Sequence, residues 1–176
     1  SSDLLHTAAV ARAAGGKFVI ADMPFLSCRQ GIAPAMRAVG ALMSNGAHAV
    51  KVEGVDGHED VIRHIVESGV PVMGHVGLTP QSVNQFGGFK VQGTSDAGAQ
   101  KLLRQAHALE DLGCFALVLE CVPAALASRI TTELSIPTIG IGAGADVDGQ
   151  ILVLQDLWGV DSTHRSEEHT SELQSH

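Results

Sequence analysis

Basic residues and long apolar runs are scarce in this chain of 176 residues. Lys and Arg number 11 against 19 Asp and Glu, and the net charge is −8. A nucleic-acid-binding surface needs a basic stripe, so this charge balance argues against one. No apolar run approaches ~20 residues, so we expect no membrane-spanning segment. No basic-then-apolar leader is visible either, and secretion therefore has no support.

Cysteines are also few. Cys28, Cys114 and Cys121 lie far apart and lack the spacing of a metal site. An odd number of cysteines within apolar segments suits a reducing compartment better than a disulfide framework, so we expect a cytoplasmic protein. We interpret the three thiols as small buried hydrophobes.

Hydrophobic residues make up 45% of the chain and charged residues 17%, which is typical of a globular domain. A short apolar run, a turn and an amphipathic helix recur along it. The predicted strands cover 17–25, 47–53, 70–76, 114–122, 137–142 and 150–154. The predicted helices cover 1–16, 31–44, 58–68 and 97–112, with one more opening at Pro123. A long Gly-rich connection, 77–96, separates the third strand from the clearest helix, and connections of that length often serve a function.

Strict alternation of apolar strands and helices predicts an α/β fold in which helices cover a parallel sheet. Six strands fit an open doubly wound sheet, or an incomplete (β/α)8 TIM-type barrel that would need two more strands upstream. We expect residues 1–160 to form one partial-barrel domain. Residues 165–176 have no apolar periodicity and resemble the translation of a sequencing-library adapter, with a natural polar tail as the alternative. We therefore expect 161–176 to be a non-native or disordered tail.

Ionisable residues mark the carboxyl ends of four successive predicted strands: Asp22, then Lys51 with Glu53, then His75, then Glu120. Active sites of parallel α/β folds form at these ends. Because buried carboxylates without partners are costly, we expect the five groups to share one pocket.

Each group also has a structural alternative. Asp22 could cap the following helix or turn, Lys51 and Glu53 could form an ion pair on one strand face, and His75 could be a satisfied core histidine. Glu120 has the weakest alternative, because a lone carboxyl in so apolar a strand needs a cation or suits a general base. One shared site explains ionisable residues at four consecutive strand ends more simply than four separate structural roles do.

Two carboxylates without a Cys/His cluster favour a hard cation such as Mg²⁺. Such an ion could bind a 2-keto acid through its oxygens and acidify the adjacent C–H, so that a base could form an enolate. The residues alone therefore indicate metal-assisted enolate chemistry without naming a substrate.

Several segments closely resemble the ketopantoate hydroxymethyltransferase family, in that family's order and spacing. They are IADMPF (20–25), VKVEG (50–54), GHVGLTPQS (74–82), GGFKVQG (87–93), LVLECVP (117–123), IPTIGIGAG (136–144) and DGQILV (148–153). The pair GHVGLTPQS and GGFKVQG is highly specific. The resemblance covers residues 1–160.

The resemblance implies a (β/α)8 barrel, a homodecameric ring, Mg²⁺, and 5,10-methylenetetrahydrofolate as one-carbon donor to 3-methyl-2-oxobutanoate. It also implies that two further strands, with an Asp-Ser pair, lie upstream of Ser1.

The resemblance assigns a role to each of the five groups. Asp22 matches a metal-site aspartate that also lies at the substrate, and Glu53 an acidic residue in or just behind the metal shell. Lys51 matches the lysine that binds the keto acid, and His75 a histidine at the substrate. Glu120 matches the proposed base. No folate-binding residue follows, because aromatics make up only 3% of the chain and no pterin pocket is visible.

Two rival functions remain. A phosphoenolpyruvate mutase or isocitrate lyase-like enzyme shares the carboxylates and Mg²⁺, but its reactive-cysteine loop has no counterpart around Cys28 or Cys121. The other rival is an inactive barrel fragment that only associates with other chains.

Overall fold

The computed structural model describes residues 2–82 and 91–159, and in this part of the chain six strands alternate with helices, except that the last two strands are joined by a turn. The strands are β1 (Ile20–Asp22), β2 (Ala49–Glu53), β3 (Val72–Gly77), β4 (Ala116–Glu120), β5 (Thr138–Ile141) and β6 (Gly149–Gln150). The helices are α1 (Ser2–Ala13), α2 (Ile32–Ser44), α3 (Glu59–Glu67), α4 (Asp96–Asp111), α5 (Ala124–Glu133) and α6 (Leu154–Trp158). Short 3-10 turns lie at Ser27–Arg29 and Pro80–Ser82.

The sheet is parallel throughout, and its strands follow one another in chain order from β1 to β6. A doubly wound sheet reverses its strand order part-way, whereas a (β/α) barrel adds each strand beside the last. The unbroken order therefore selects the barrel alternative. The predicted α/β class is confirmed, as a curled part of a barrel with six parallel strands.

The two faces of the sheet have different neighbours. Alternate strand residues such as Val50, Val72 and Leu117 point towards the helices and join the large core there. The residues between them point to the inner face of the barrel, where Met73, Ala116 and Val118 form a small separate cluster. Because side chains alternate along a strand, each strand contributes to both faces.

Helix α4 shows how the helical layer is built. Ser95 caps its first turn, since the Ser95 hydroxyl accepts a hydrogen bond from the Gly98 N–H at 3.2 Å. The apolar spacing then brings one side of the helix onto the sheet. Leu109 lies so close to β3 that a Cβ on Gly74 would stand 2.8 Å from the Leu109 Cδ1. Glycine at position 74 therefore allows this close packing.

The predicted strands were too long, and the sixth was wrong in part. The strand predicted at 150–154 is reduced to Gly149–Gln150, and Leu154 opens α6 instead. An apolar run does not by itself distinguish a strand from a short helix. In this run the ladder to β5 ends at Gln150, and the Val153 carbonyl accepts from the N–H groups of Asp156 and Leu157.

Two other predictions concern segments that the structure covers only in part or not at all. The whole of the tail at 161–176, and residues 83–90 of the Gly-rich connection, lie outside the described residues. None of the described helices has the length and apolar character needed to cross a membrane.

Candidate active site

The five ionisable residues predicted to share a pocket all lie on the inner face of the sheet, at its carboxyl edge. Strand pairing places Asp22 beside Lys51 and Glu53 beside His75. Glu120 is the last residue of the next strand. Because paired residues of neighbouring strands point the same way, the structure brings these groups to one side of one edge.

The side chains of four of them, all but Glu53, form a continuous polar row. The Asp22 Oδ1 lies 3.1 Å from the Lys51 Nζ, which lies 3.3 Å from the His75 Nδ1. On the other side of the ring, the His75 Nε2 lies 3.1 Å from the Glu120 Oε2. Lys51 thus forms its ion pair with Asp22 on the neighbouring strand. The structural alternative considered from the sequence, an ion pair with Glu53 on the same strand, is not the one observed.

The row assigns the tautomer of His75. A lysine ammonium can only donate, so the His75 Nδ1 accepts from Lys51 and Nε2 is left to carry the ring proton. That N–H faces Glu120, but their contact is not aligned as a hydrogen bond, and Nε2 has no hydrogen-bond partner among the described residues. His75 is only 2% exposed. A buried, unsatisfied donor beside a carboxylate is a frequent mark of a functional site.

Glu53 is held by a residue that the sequence analysis did not single out. The Glu53 Oε2 accepts a hydrogen bond from the Gln81 N–H at 2.9 Å, and the Gln81 side chain donates to the Met23 carbonyl at 2.8 Å. Gln81 therefore ties the ends of β1 and β2 together. It lies within the family-like motif GHVGLTPQS, and that motif was the only available signal, because an uncharged side chain in a loop carries no mark of its own.

Asp22 and Glu53 offer carboxylate oxygens, the kind of ligand that a hard divalent cation prefers. Burial raises the pKa of Glu53, the Gln81 N–H and Lys51 oppose that rise, and the charge of Asp22 adds to it. A cation beside both carboxylates would relieve this repulsion. Among the described residues, no group of three or more His, Cys, Asp or Glu is arranged to hold a metal. Asp22 would supply an oxygen ligand and Glu53 would lie in or just behind the metal shell, and Mg²⁺ commonly takes its other ligands from water and substrate.

Of two cavities in the described part of the chain, only the smaller adjoins the site. One of about 30 Å³ adjoins Glu53 and is also lined by Arg29, His58 and Gln81. A larger cavity, of about 260 Å³, lies between residues 55–59 and helix α4, away from the polar row. In that cavity the Asp56 carboxylate is already paired with Lys101 and accepts a hydrogen bond from the Gln105 side chain. These polar groups therefore satisfy one another. We therefore place the candidate active site at the strand ends.

Sequence comparison then decides the family. A family model described as ketopantoate hydroxymethyltransferase matches residues 2–174. The chain belongs to the ketopantoate hydroxymethyltransferase family. The resemblance in the motifs at the strand ends is thereby confirmed, while the individual roles of Asp22, Lys51, Glu53, His75 and Glu120 stay predictions.

Curated relatives of the family match most of the chain. The chain is 62% identical over 155 residues to the 3-methyl-2-oxobutanoate hydroxymethyltransferase of Bdellovibrio bacteriovorus, a match that covers 88% of this chain and 59% of the relative. It is 58% identical over 156 residues to the enzyme of that name from Francisella tularensis, covering 89% and 59%. The chain thus spans about three fifths of the length of these relatives.

Solved structures share the fold at low sequence identity. A structure described as a phosphonomutase from Burkholderia cenocepacia has a TM-score of 0.65 at 13% identity, covering 98% of this chain and 76% of that one. A lyase/mutase structure from the same organism has a TM-score of 0.57 at 17% identity, covering 90% and 57%. These likenesses support the barrel fold alone and give the mutase-like rival no further weight.

Proposed function

We propose that this chain forms part of an enzyme that transfers a hydroxymethyl group from 5,10-methylenetetrahydrofolate to 3-methyl-2-oxobutanoate. The product would be ketopantoate, a precursor of pantothenate and coenzyme A. The observation that carries the proposal is the pairing of His75 with Glu120 at the inner carboxyl edge, in a chain 62% identical to a named hydroxymethyltransferase. We also propose a cytoplasmic homo-oligomer, the decameric ring that the family resemblance implies.

In this mechanism Glu120 is the base. Its carboxylate takes the C3 proton of the keto acid, and the C–H electron pair becomes the enolate π bond. Water adds to the methylene carbon of the donor as both of its C–N bonds break, which gives formaldehyde and tetrahydrofolate. The enolate C3 then bonds to the formaldehyde carbon, the C=O π electron pair moves to oxygen, and the proton held by Glu120 goes to that oxygen as the hydroxymethyl group forms. The Nε2–H of His75 faces the Glu120 carboxylate and can steady it before and after proton transfer.

The other three residues would bind and polarise the substrate. Lys51 presents an ammonium group that suits the carboxylate of the keto acid, and Asp22 keeps that ammonium in place. Asp22 and Glu53 would hold Mg²⁺, which when bound would act as a Lewis acid on the substrate oxygens. Glu53 is held in place by Gln81, whereas the side chain of Asp22 is 63% exposed and is the more accessible ligand.

The test uses a full-length polypeptide that contains this sequence. Mixed with 3-methyl-2-oxobutanoate, the folate donor and Mg²⁺, it should form ketopantoate. In D₂O without folate it should exchange the C3 proton, as followed by NMR. Failure of both reactions in a folded protein would refute the proposal. Exchange without ketopantoate formation would refute the folate donor alone.

A second candidate function rests on an exposed apolar segment. Ile151 to Leu154, with Leu157 and Trp158, leave about half or more of their surface exposed beside β6, with Trp158 at 71%. Contiguous exposed apolar surface is typical of association sites. On this hypothesis the 176-residue chain only associates with other chains. Sedimentation should then show concentration-dependent oligomers that Trp158→Ser and Leu157→Ser weaken, while a monomer at all concentrations would exclude it.

A further inference from the structure

The backbone changes direction directly after Glu120. Glu120 ends β4, and the next residue, Cys121, has a φ of 49°. Among the described residues, Leu26 is the only other non-glycine residue with a positive φ. The left-handed conformation is costly for a side chain with a Cβ, so the surrounding structure must hold Cys121 there.

Hydrogen bonds from both sides hold this turn. The Glu120 carbonyl accepts from the Leu78 N–H at 2.8 Å, and the Cys121 N–H donates to the Ile141 carbonyl at 2.9 Å. The Cys121 carbonyl in turn accepts from the Gln92 N–H at 2.8 Å. The peptide that follows Glu120 is therefore fixed by the segments after β3 and at the end of β5.

Gly77 makes the first of these bonds possible. It lies opposite Glu120 in the sheet and has a φ of 98°. A Cβ on Gly77 would stand 2.1 Å from the Glu120 carbonyl oxygen and 2.8 Å from the Val122 Cγ1. Only a residue without a side chain allows the exit of β3 to approach Glu120 this closely.

We propose that Gly77 and Cys121, through its left-handed turn, are positioning residues: they hold the backbone of Glu120 so that its carboxylate faces His75. The inference rests on the proposed role of Glu120 as base. A side chain's direction follows from its backbone, and here the backbone of Glu120 is fixed on both sides by this pair of features. A misplacement of about 1 Å in a catalytic group can cost roughly 10²-fold in rate, so the turn matters for catalysis as well as for folding.

The test compares Cys121→Gly with Cys121→Val in the full-length enzyme. Both variants remove the thiol and its contacts, but glycine adopts a positive φ freely and a β-branched residue resists it. We expect Cys121→Gly to keep kcat within about threefold of the parent and Cys121→Val to lower kcat roughly 10-fold or more, with KM nearly unchanged. Cys114→Val is the matched control, since Cys114 is buried, precedes the same strand and is not among the positive-φ residues. It should leave kcat unchanged.

A second measurement is independent of turnover. The imidazole ¹⁵N shifts of His75, identified by their absence in His75→Gln, should match the parent in Cys121→Gly and move in Cys121→Val. Gly77→Ala, if it folds, should move them as well. Equal rates and equal shifts in the two Cys121 variants would overturn the inference. A parent that lacks C3 exchange would refute the role of Glu120 as base, and the His75 shifts would still decide whether the turn places Glu120 against His75.

Discussion

The same strands contribute apolar side chains to the core on one face of the sheet and ionisable side chains to the candidate active site on the other. On the helix side, Val72 and Leu117 join a continuous core that includes the fully buried Ile62, Leu109 and Ile130. The inner face has only a small apolar cluster, and at its carboxyl edge the side chains become ionisable. Because strand residues alternate, a substitution at one position affects one face and spares the other. Stability should therefore respond mainly to the helix side and chemistry to the inner face.

The largest expected effect is on stability. Leu109→Ala removes a fully buried side chain that packs on β3, and should lower the free energy of unfolding by about 2–5 kcal/mol in urea denaturation. Leu5→Ala is the matched control, because Leu5 is 75% exposed and its loss should cost under about 0.5 kcal/mol. The folded fraction of Leu109→Ala should exchange the C3 proton at the parental rate. A cost as small as that of the control would contradict this division between the faces.

The next effect is chemical. Glu120→Gln in the full-length enzyme keeps the shape of the side chain and removes its basicity. We expect exchange of the C3 proton of 3-methyl-2-oxobutanoate with D₂O, followed by NMR without folate, to fall by roughly 10²-fold or more. The substrate should still bind, and the unfolding midpoint should stay near that of the parent. Exchange at the parental rate would make another group the base, with His75 first among the candidates.

A smaller difference should separate Asp22, the proposed direct metal ligand, from Glu53, which would lie in or just behind the metal shell. Asp22→Ala should weaken Mg²⁺ binding far more than Glu53→Ala, because loss of a direct ligand outweighs the roughly 10-fold or greater loss typical of a supporting residue. The hydrogen bond that Gln81 donates to Glu53 is consistent with a supporting position. Calorimetric titration of both variants with Mg²⁺ measures the difference. Unchanged affinity in Asp22→Ala would remove Asp22 from the metal site.

The smallest effect concerns pH. Burial, together with the nearby charge of Arg29, lowers the pKa of His58 from its ordinary value of 6.5. Below that value the unfolded chain takes up a proton that folded His58 does not, so this contribution to stability is complete above pH 6.5 and declines as the pH falls towards the folded pKa. One such group adds at most about 1.4 kcal/mol per pH unit to the slope. Urea denaturation between pH 7.5 and 5 should show a shallower slope in His58→Gln, and an identical slope would refute the assignment.

The pattern of apolar residues predicted much of the fold, whereas the ends of the strands depended on hydrogen-bond pairing between strands. The spacing of Leu102, Leu103, Ala106 and Leu109 predicted the buried side of α4, and the structure confirms it. The ends of strands were less predictable, because a strand ends where its ladder ends. Leu154, predicted in a strand, lies in a helix for that reason.

The candidate site was likewise predictable in part: its residues followed from the sequence, but their contacts did not. Position at the strand ends predicted that Asp22, Lys51, His75 and Glu120 come together, and they do. Which groups contact each other depends on register between strands, so the Lys51–Asp22 pair replaced the alternative with Glu53. The positive φ of Cys121 left no trace in the sequence, since it follows from hydrogen bonds to segments distant along the chain.

Strand pairing thins out towards both edges of the sheet. β3 and β4 pair over five residues, β1 and β2 over three, and β5 and β6 over two. Amide hydrogen exchange should therefore be slowest along His75 and Val118 and faster at Ala21 and Gly149, since local opening needs fewer broken bonds at the edges. Glu120 lies on β4, in the pair of strands with the longest ladder among the described residues. The proposed base is thus attached to the part of the described sheet that should open least often, which suits a group whose position sets the geometry of proton transfer.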